Sequence, residues 1–428
     1  MLKKTAIWLG IVLSTATSQL VFADFIKDAK GEIALRNFYF DRDYKKDEPM
    51  GYTAQRDWAQ GIILKGQSGY TEGTVGFGVD VVAMAGFNLL GDRASDYFRS
   101  GLLSVNPDNS REDYYTKVGV TGKAKYRKNE LYVGELVPQL PTFFASPARL
   151  FMQTYRGVHI KSNEIEGLTL EGYYADKVRQ RDSIHYTEVG TDNVNHRFKA
   201  AATTDDFYTF GGAYQFSKNY KVRAYHAELD NIYQQQFLGV VGKQPLDNGM
   251  NLLTDIRFFN STDTGSKKVG EVDNRHLSAL VGLNANNHTL SFGLMQSFGD
   301  TGLIFLSGGE SPVVLDFMSS DFSNKKELVY SLRYDYDFKD IVLGDMSLNG
   351  LKVMTRFANG ENIDLNAYGD DHEEKTIELD ISYRVPEGKL KGLGLRSRFA
   401  RYRNDFPSNM TFRSQNETRL YIEYAYKF

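Results

Sequence analysis

Stretches of about ten residues in which apolar and polar side chains alternate recur along most of this chain, and a period of two is the mark of β-strands with two unlike faces. At the C-terminus Leu420, Ile422, Tyr424, Tyr426 and Phe428 fall on one face, with Arg419, Tyr421, Glu423, Ala425 and Lys427 on the other. Leu328, Tyr330, Leu332, Tyr334, Tyr336 and Phe338 likewise oppose Ser331, Arg333, Asp335 and Asp337, and Ile377, Leu379, Ile381, Tyr383 and Val385 oppose Glu378, Asp380, Ser382 and Arg384. A helical period of 3.6 is almost absent. A soluble β-sandwich alternates in the same way, with its apolar face as core, so the pattern alone leaves open which face meets water.

Connector lengths decide more. Strands are predicted at 32–40, 58–66, 74–84, 115–125, 130–136, 156–162, 167–175, 206–216, 220–229, 232–241, 250–259, 275–284, 288–298, 327–338, 350–357, 375–385, 392–402 and 418–428. Between these eighteen, long connections (41–57, 85–114, 137–155, 176–205, 260–274, 299–326, 358–374, 403–417) mostly alternate with short ones such as Tyr126–Asn129, Ser217–Asn219 and Ala285–Asn287. One connection, near Asp230, is short on the long side. An even strand count with tight turns at one end and long loops at the other is the pattern of a closed transmembrane antiparallel β-barrel. Tyrosines near strand ends and a terminal aromatic suit its interfacial girdles. Gly76, Gly78, Gly119 and Gly293 fall opposite apolar residues, where the wall must be thin or bend.

Composition removes other classes. A quarter of the 428 residues are charged, which excludes a bundle of apolar spanning helices after the N-terminus. The absence of cysteine excludes disulfide scaffolds, thiolate metal sites and cysteine nucleophiles. A net charge of −3 argues against nucleic acid as a partner. Lys3 and Lys4, the apolar run Ile7 to Leu13 and the small residues before Asp24 predict a cleaved secretory signal at 1–23, ahead of one barrel domain at 24–428.

Several strings then resemble a known family: Ala34-Leu-Arg-Asn-Phe-Tyr-Phe-Asp-Arg-Asp43, Asp57-Trp-Ala-Gln-Gly61, Gly73-Thr-Val-Gly-Phe-Gly-Val-Asp80, Ala148-Arg-Leu-Phe-Met-Gln-Thr154 and Ala227-Glu-Leu-Asp-Asn-Ile-Tyr233. The chain resembles the OprD-type outer-membrane carboxylate channels, the Occ porins, over nearly its whole length. The resemblance implies an eighteen-stranded barrel and a ladder of basic residues that guides a carboxylate through a constriction. By motif match the ladder comprises Arg42, Arg149, Arg396, Arg398 and Arg419. Strand phase independently turns Arg396, Arg398 and Arg419 away from Leu395, Phe399 and Leu420. Arg56 is one position out of step with the family's basic residue, and Ser382 stands where some relatives carry another basic group, so the ladder is shorter here or runs through Arg384. Inward acids, among them Glu378, Asp380, Asp335 and Glu423, could instead neutralise these arginines.

The connector 137–155 carries Pro138, Pro141 and Pro147 with Phe143, Phe144, Leu150 and Phe151, and so is expected to fold into the barrel and deliver Arg149 to its narrowest point. The family resemblance implies that 299–326 supplies the facing wall, through Glu310, Ser311 and Asp321. Asp370, Asp371, Glu373 and Glu374 read as a solvated loop tip. Seven histidines show no zinc-ligand spacing, and no phosphate loop or nucleophile elbow occurs, so neither cofactor nor metal is expected. These readings describe a passive porin of a Gram-negative outer membrane for small carboxylate-containing molecules, bordered by lipid and lipopolysaccharide, either monomer or homotrimer. A barrel hydrolase and a plugged adhesive barrel are the alternatives.

Overall fold

The computed structural model describes residues 23–45, 52–91, 97–309, 311–344 and 346–428. The expected signal, apart from Ala23, lies outside these, as does Glu310. After a short helix, Ala23–Lys27, eighteen antiparallel strands follow. They are β1 Lys30–Tyr44, β2 Ala54–Gln67, β3 Gly76–Asn88, β4 Tyr114–Tyr126, β5 Asn129–Leu136, β6 Thr154–Ser162, β7 Leu168–Arg179, β8 Phe207–Gln215 and β9 Tyr220–Leu229. The second half consists of β10 Tyr233–Pro245, β11 Asn251–Asp263, β12 Asp273–Ala285, β13 His288–Phe298, β14 Leu328–Asp337, β15 Leu351–Ile363, β16 His372–Arg384, β17 Gly394–Asn404 and β18 Gln415–Lys427. Strand β1 pairs with β2 on one side and with β18 on the other, so the sheet closes and leaves no edge.

Which face meets water is now settled by burial. On β16 Glu378 is 1% exposed while its neighbour Ile377 is 55% exposed, and Phe292 and Leu332 are each 53% exposed on the outer skin. The apolar face points outward and the charged face inward, the reverse of a soluble sandwich and the arrangement a hydrocarbon surround requires. Among the described residues no helix is long and apolar enough to cross a membrane; the crossing elements are strands.

At one rim the connections include the tight turns 127–128, 216–219 and 286–287, although 338–350 is longer and forms a small hairpin of Val342–Leu343 with Met346–Ser347. The loops at the other rim are L1 45–53, L2 89–113, L3 137–153, L4 180–206, L5 230–232, L6 264–272, L7 299–327, L8 364–371 and L9 405–414. L5 is the short exception, turned by Asn231 at φ 61°. Glu374 departs from the solvated-tip reading. Register places it inward on β16, where it is buried and accepts a 2.6 Å hydrogen bond from the Tyr402 hydroxyl.

L3 and L7 fold into the barrel. Phe143 of L3 packs edge-on against Tyr155 and Tyr173 from β6 and β7. Leu150 and Phe151 fill the space that Gly61 leaves on β2, where a Cβ would lie 3.1 Å from both side chains. Gly293 does the same for L7, since a Cβ there would sit 2.8 Å from Leu315. Gly293→Val is therefore expected to cost about 1–3 kcal/mol of overpacking and to push the L7 tip into the lumen. A changed single-channel conductance, in a barrel that still shows heat-modifiable gel migration, is the expected reading.

Candidate functional site

The ladders of β14 to β18 and β1 are in phase, so their inward residues line up in rows across the wall. One row runs Arg333, Arg356, Glu378, Ala400, Glu417, Arg42. The next, toward the short-turn rim, runs Met354, Asp380, Arg398, Arg419, Phe40, and below it come Ser382, Arg396, Tyr421 and Phe38. Arg384, Gly394, Glu423 and Arg36 make the last row. Closure of the barrel thus assembles a stripe of guanidinium groups from both ends of the chain.

Its centre is Phe40, fully buried, with the guanidinium carbons of Arg149, Arg42 and Arg419 at 5.0, 5.4 and 5.5 Å from the ring centroid. The electron-rich ring face attracts the cations and offsets part of their mutual repulsion. Glu417 is the shared counter-charge. It accepts from Arg42 at 3.0 and 2.9 Å and from Arg419 at 2.5 Å, with its side chain wholly buried.

Arg149, delivered by L3, is different. It donates to the carbonyls of Ser100 at 2.9 Å and Ala148 at 3.2 Å, and among the described residues no carboxylate lies within 4 Å of it. Burial, then the nearby guanidinium groups of Arg181, Arg419 and Arg42, push its pKa well down from the ordinary arginine value. The loop is clamped in place by Arg36, which donates to the carbonyls of Arg149 at 2.8 Å and Pro147 at 3.3 Å.

Below this centre the stripe opens into a cavity of about 730 Å³, lined among others by Arg333, Arg356, Asp380, Arg396 and Arg398. Arg396 grips Asp380 through Nε at 3.0 Å from each oxygen, and Arg398 approaches the same carboxylate at 3.2 Å. Arg396 keeps 45% of its side chain exposed to the lumen. Arg384 reaches the short-turn rim, where it donates to the Gly392 carbonyl at 3.1 Å. Arg56, by contrast, points out of the stripe and pairs with Asp41 at 3.1 Å. The inward acids are taken up largely by arginines outside the expected ladder: Glu378 by Arg356 at 2.5 Å, Asp335 by Arg333 at 2.7 Å and Glu423 by Arg36 at 2.6 Å. Arg333 and Arg356 share the inward phase of Arg396, and that phase was the signal available for finding them.

L7 crosses the lumen as a strap. Arg356 and Arg419 donate to the Asp316 and Met318 carbonyls at 2.5 and 2.8 Å, and the Met318 amide donates to Glu378 at 2.8 Å. At its other end Arg257 donates to the carbonyls of Pro312 at 2.7 Å and Val313 at 3.1 Å, and the Val314 amide donates to Ser278 Oγ at 2.9 Å. Ser311 lies beside this second anchor, its buried hydroxyl without a hydrogen-bond partner among the described residues. Asp321 sits deeper, in an ion pair with Arg197 of L4 (Nη1 to Oδ2, 2.7 Å), and so is not brought to the stripe.

A family model described as outer membrane porin, OprD family, matches residues 23–428. The porin-like protein GalP of Pseudomonas putida is 32% identical over 410 residues, covering 95% of this chain and 94% of its own. OccAB3 of Acinetobacter baumannii, a solved structure, is 71% identical with a TM-score of 0.92 over 94% of this chain and 100% of that one. OpdK of Pseudomonas aeruginosa, solved with vanillate, is 29% identical with a TM-score of 0.84 over 94% of this chain and 100% of that one. With a closed eighteen-stranded wall, an apolar outer skin and two loops folded into a charged lumen, this chain belongs to the OprD family of outer-membrane porins, channels for substrate-specific uptake of small solutes.

Proposed function

We propose that this porin admits small carboxylate-bearing molecules, drawn past the L3 and L7 constriction by the guanidinium stripe of Arg42, Arg149, Arg419, Arg398, Arg396 and Arg384. The observation that carries this is the surplus at the centre: three guanidinium groups surround Phe40, two share Glu417, and among the described residues Arg149 hydrogen-bonds to carbonyls alone. A desolvated cation beside two others is a site that an incoming carboxylate relieves, because it supplies the missing counter-charge and accepts two N–H groups at once. Onward movement needs no energy input. Arg419 and Arg398 stand directly across from one another on paired strands, and Arg396 is two residues from Arg398, a spacing of roughly 7 Å along the strand. Each step trades one charge-assisted contact for the next. The vanillate of OpdK, an aromatic carboxylate in a relative's structure, fits the same chemistry. On the facing wall Ser311 offers a hydroxyl without a hydrogen-bond partner among the described residues for a polar substrate end; Glu310, expected to act with it, lies outside the described residues.

The test is uptake of gluconate against its neutral amide, gluconamide, in liposomes. Replacing Arg396 and Arg398 together by alanine is expected to reduce the carboxylate preference about threefold or more, the share of a charge-assisted bond that survives in a wet lumen, with folded-barrel gel migration unchanged. An unaltered preference would refute their assignment.

A further inference from the structure

The stripe has a counterpart across the lumen. Arg223 on β9 and Arg257 on β11 both face inward and flank Gly239 of β10 in one cross-strand row. Strand β9 stands nine strands from β18 in either direction round the closed wall and β11 seven in the shorter direction, so this pair lies on the opposite part of the wall from Arg419.

Charge is not balanced there. Asp255 accepts from Arg257 at 3.1 and 2.7 Å, while Arg223 approaches it only at 3.7 Å. Arg223 rests its guanidinium 5.6 Å from the Phe237 ring centroid, and its buried Nε has no hydrogen-bond partner among the described residues. One carboxylate thus serves two cations. Among the described residues of this wall the Pro312 and Val313 carbonyls are taken by Arg257, Asp321 by Arg197 and Glu171 by His159. Asp316 is an exposed acid of the strap, and its carbonyl is held by Arg356, on the stripe's side.

The strap also sets the span. Arg257 holds the Val313 carbonyl and Arg356 holds that of Asp316, three residues on, a chain length of at most roughly 11 Å. The strap thus ties Arg257 on this wall to Arg356, which pairs with Glu378 beside the stripe, through pegs no farther apart than that.

Building on the carboxylate reading above, we infer that Arg223 and Arg257 form a second anion-binding site, and that the channel favours solutes with a carboxylate at each end over those with one. One carboxylate rests on the stripe while the other meets Arg223, whose unpaired Nε it satisfies. Arg257 positions the strap and adds charge.

Succinate and adipate, each against its own monoamide, succinamate and adipamate, provide length-matched probes in liposome uptake. Arg223→Gln is expected to lower the dicarboxylate-to-monoamide ratio about threefold, the loss of one partly wet charge-assisted contact, and to leave the gluconate-to-gluconamide ratio unchanged. Asp255→Asn, which frees positive charge at the same place, should shift the dicarboxylate ratio the other way. The inference is overturned if the dicarboxylate ratio is the same in both variants and the parent, or if the gluconate ratio falls in parallel with it. Loss of gluconate preference in the Arg396/Arg398 variant alone, or its persistence there, speaks to the stripe and not to this site.

Discussion

Glu417→Ala is expected to destabilise the folded barrel by about 3–5 kcal/mol, the cost of leaving buried guanidinium groups without their shared counter-charge. Arg42 and Arg419 both bond this carboxylate, which is wholly buried, and Ser319 of L7 donates to it at 3.3 Å. Its loss therefore removes the electrostatic anchor of the stripe and one peg of the strap. Glu417→Gln keeps the shape and part of the hydrogen bonding, so its effect should be smaller. The temperature at which the folded form converts to the slow-migrating unfolded form on a gel measures both. An alanine variant as heat-resistant as the parent would mean that the cations are stabilised by something other than this carboxylate.

Arg149→Ala should produce the largest loss of function at a single site. A charge-assisted hydrogen bond in a dry setting is worth about 1.5–3 kcal/mol, which corresponds to about tenfold or more in carboxylate preference. Arg149 comes nearest to that setting, since it is half-buried at the constriction and has no carboxylate partner among the described residues. Arg149→Lys keeps the charge but loses the fork that grips two oxygens, so an intermediate ratio is expected. Because L3 is held by Arg36 through backbone carbonyls and by Leu150 and Phe151 through packing, the loop itself should remain in place. Identical gluconate and gluconamide uptake ratios in the parent and Arg149→Ala would remove Arg149 from the mechanism.

The wall of this protein was legible because each strand has one lipid face and one wet face, and every one of the eighteen predicted segments overlaps an observed strand. Alternation also assigned the inward phase of Arg396, Arg398 and Arg419. What alternation cannot supply is which strand stands beside which once the sheet closes. Arg42 and Glu417 are 375 residues apart in sequence and 2.9 Å apart in space. Glu378 meets Arg356 and Asp321 meets Arg197 for the same reason: their partners are fixed by registers and loop crossings with no local signature. For L7 the sequence offers only the family resemblance as a guide to its place in the wall, since a strap pegged by carbonyl hydrogen bonds has no periodicity to read. The pair Arg223 and Arg257 lay on predicted strands, yet the position of Arg223 across the wall from Arg419 is a property of the eight intervening strands on each side.

The central claim is that the lumen selects the carboxylate group itself. Gluconate and gluconamide differ in little but charge and hydrogen-bonding pattern, and the unmodified protein in liposomes offers the most direct comparison of their entry rates. A lumen organised around Arg149, Arg42 and Arg419 must admit the carboxylate faster than the amide. Equal rates, or faster entry of the amide, would contradict it.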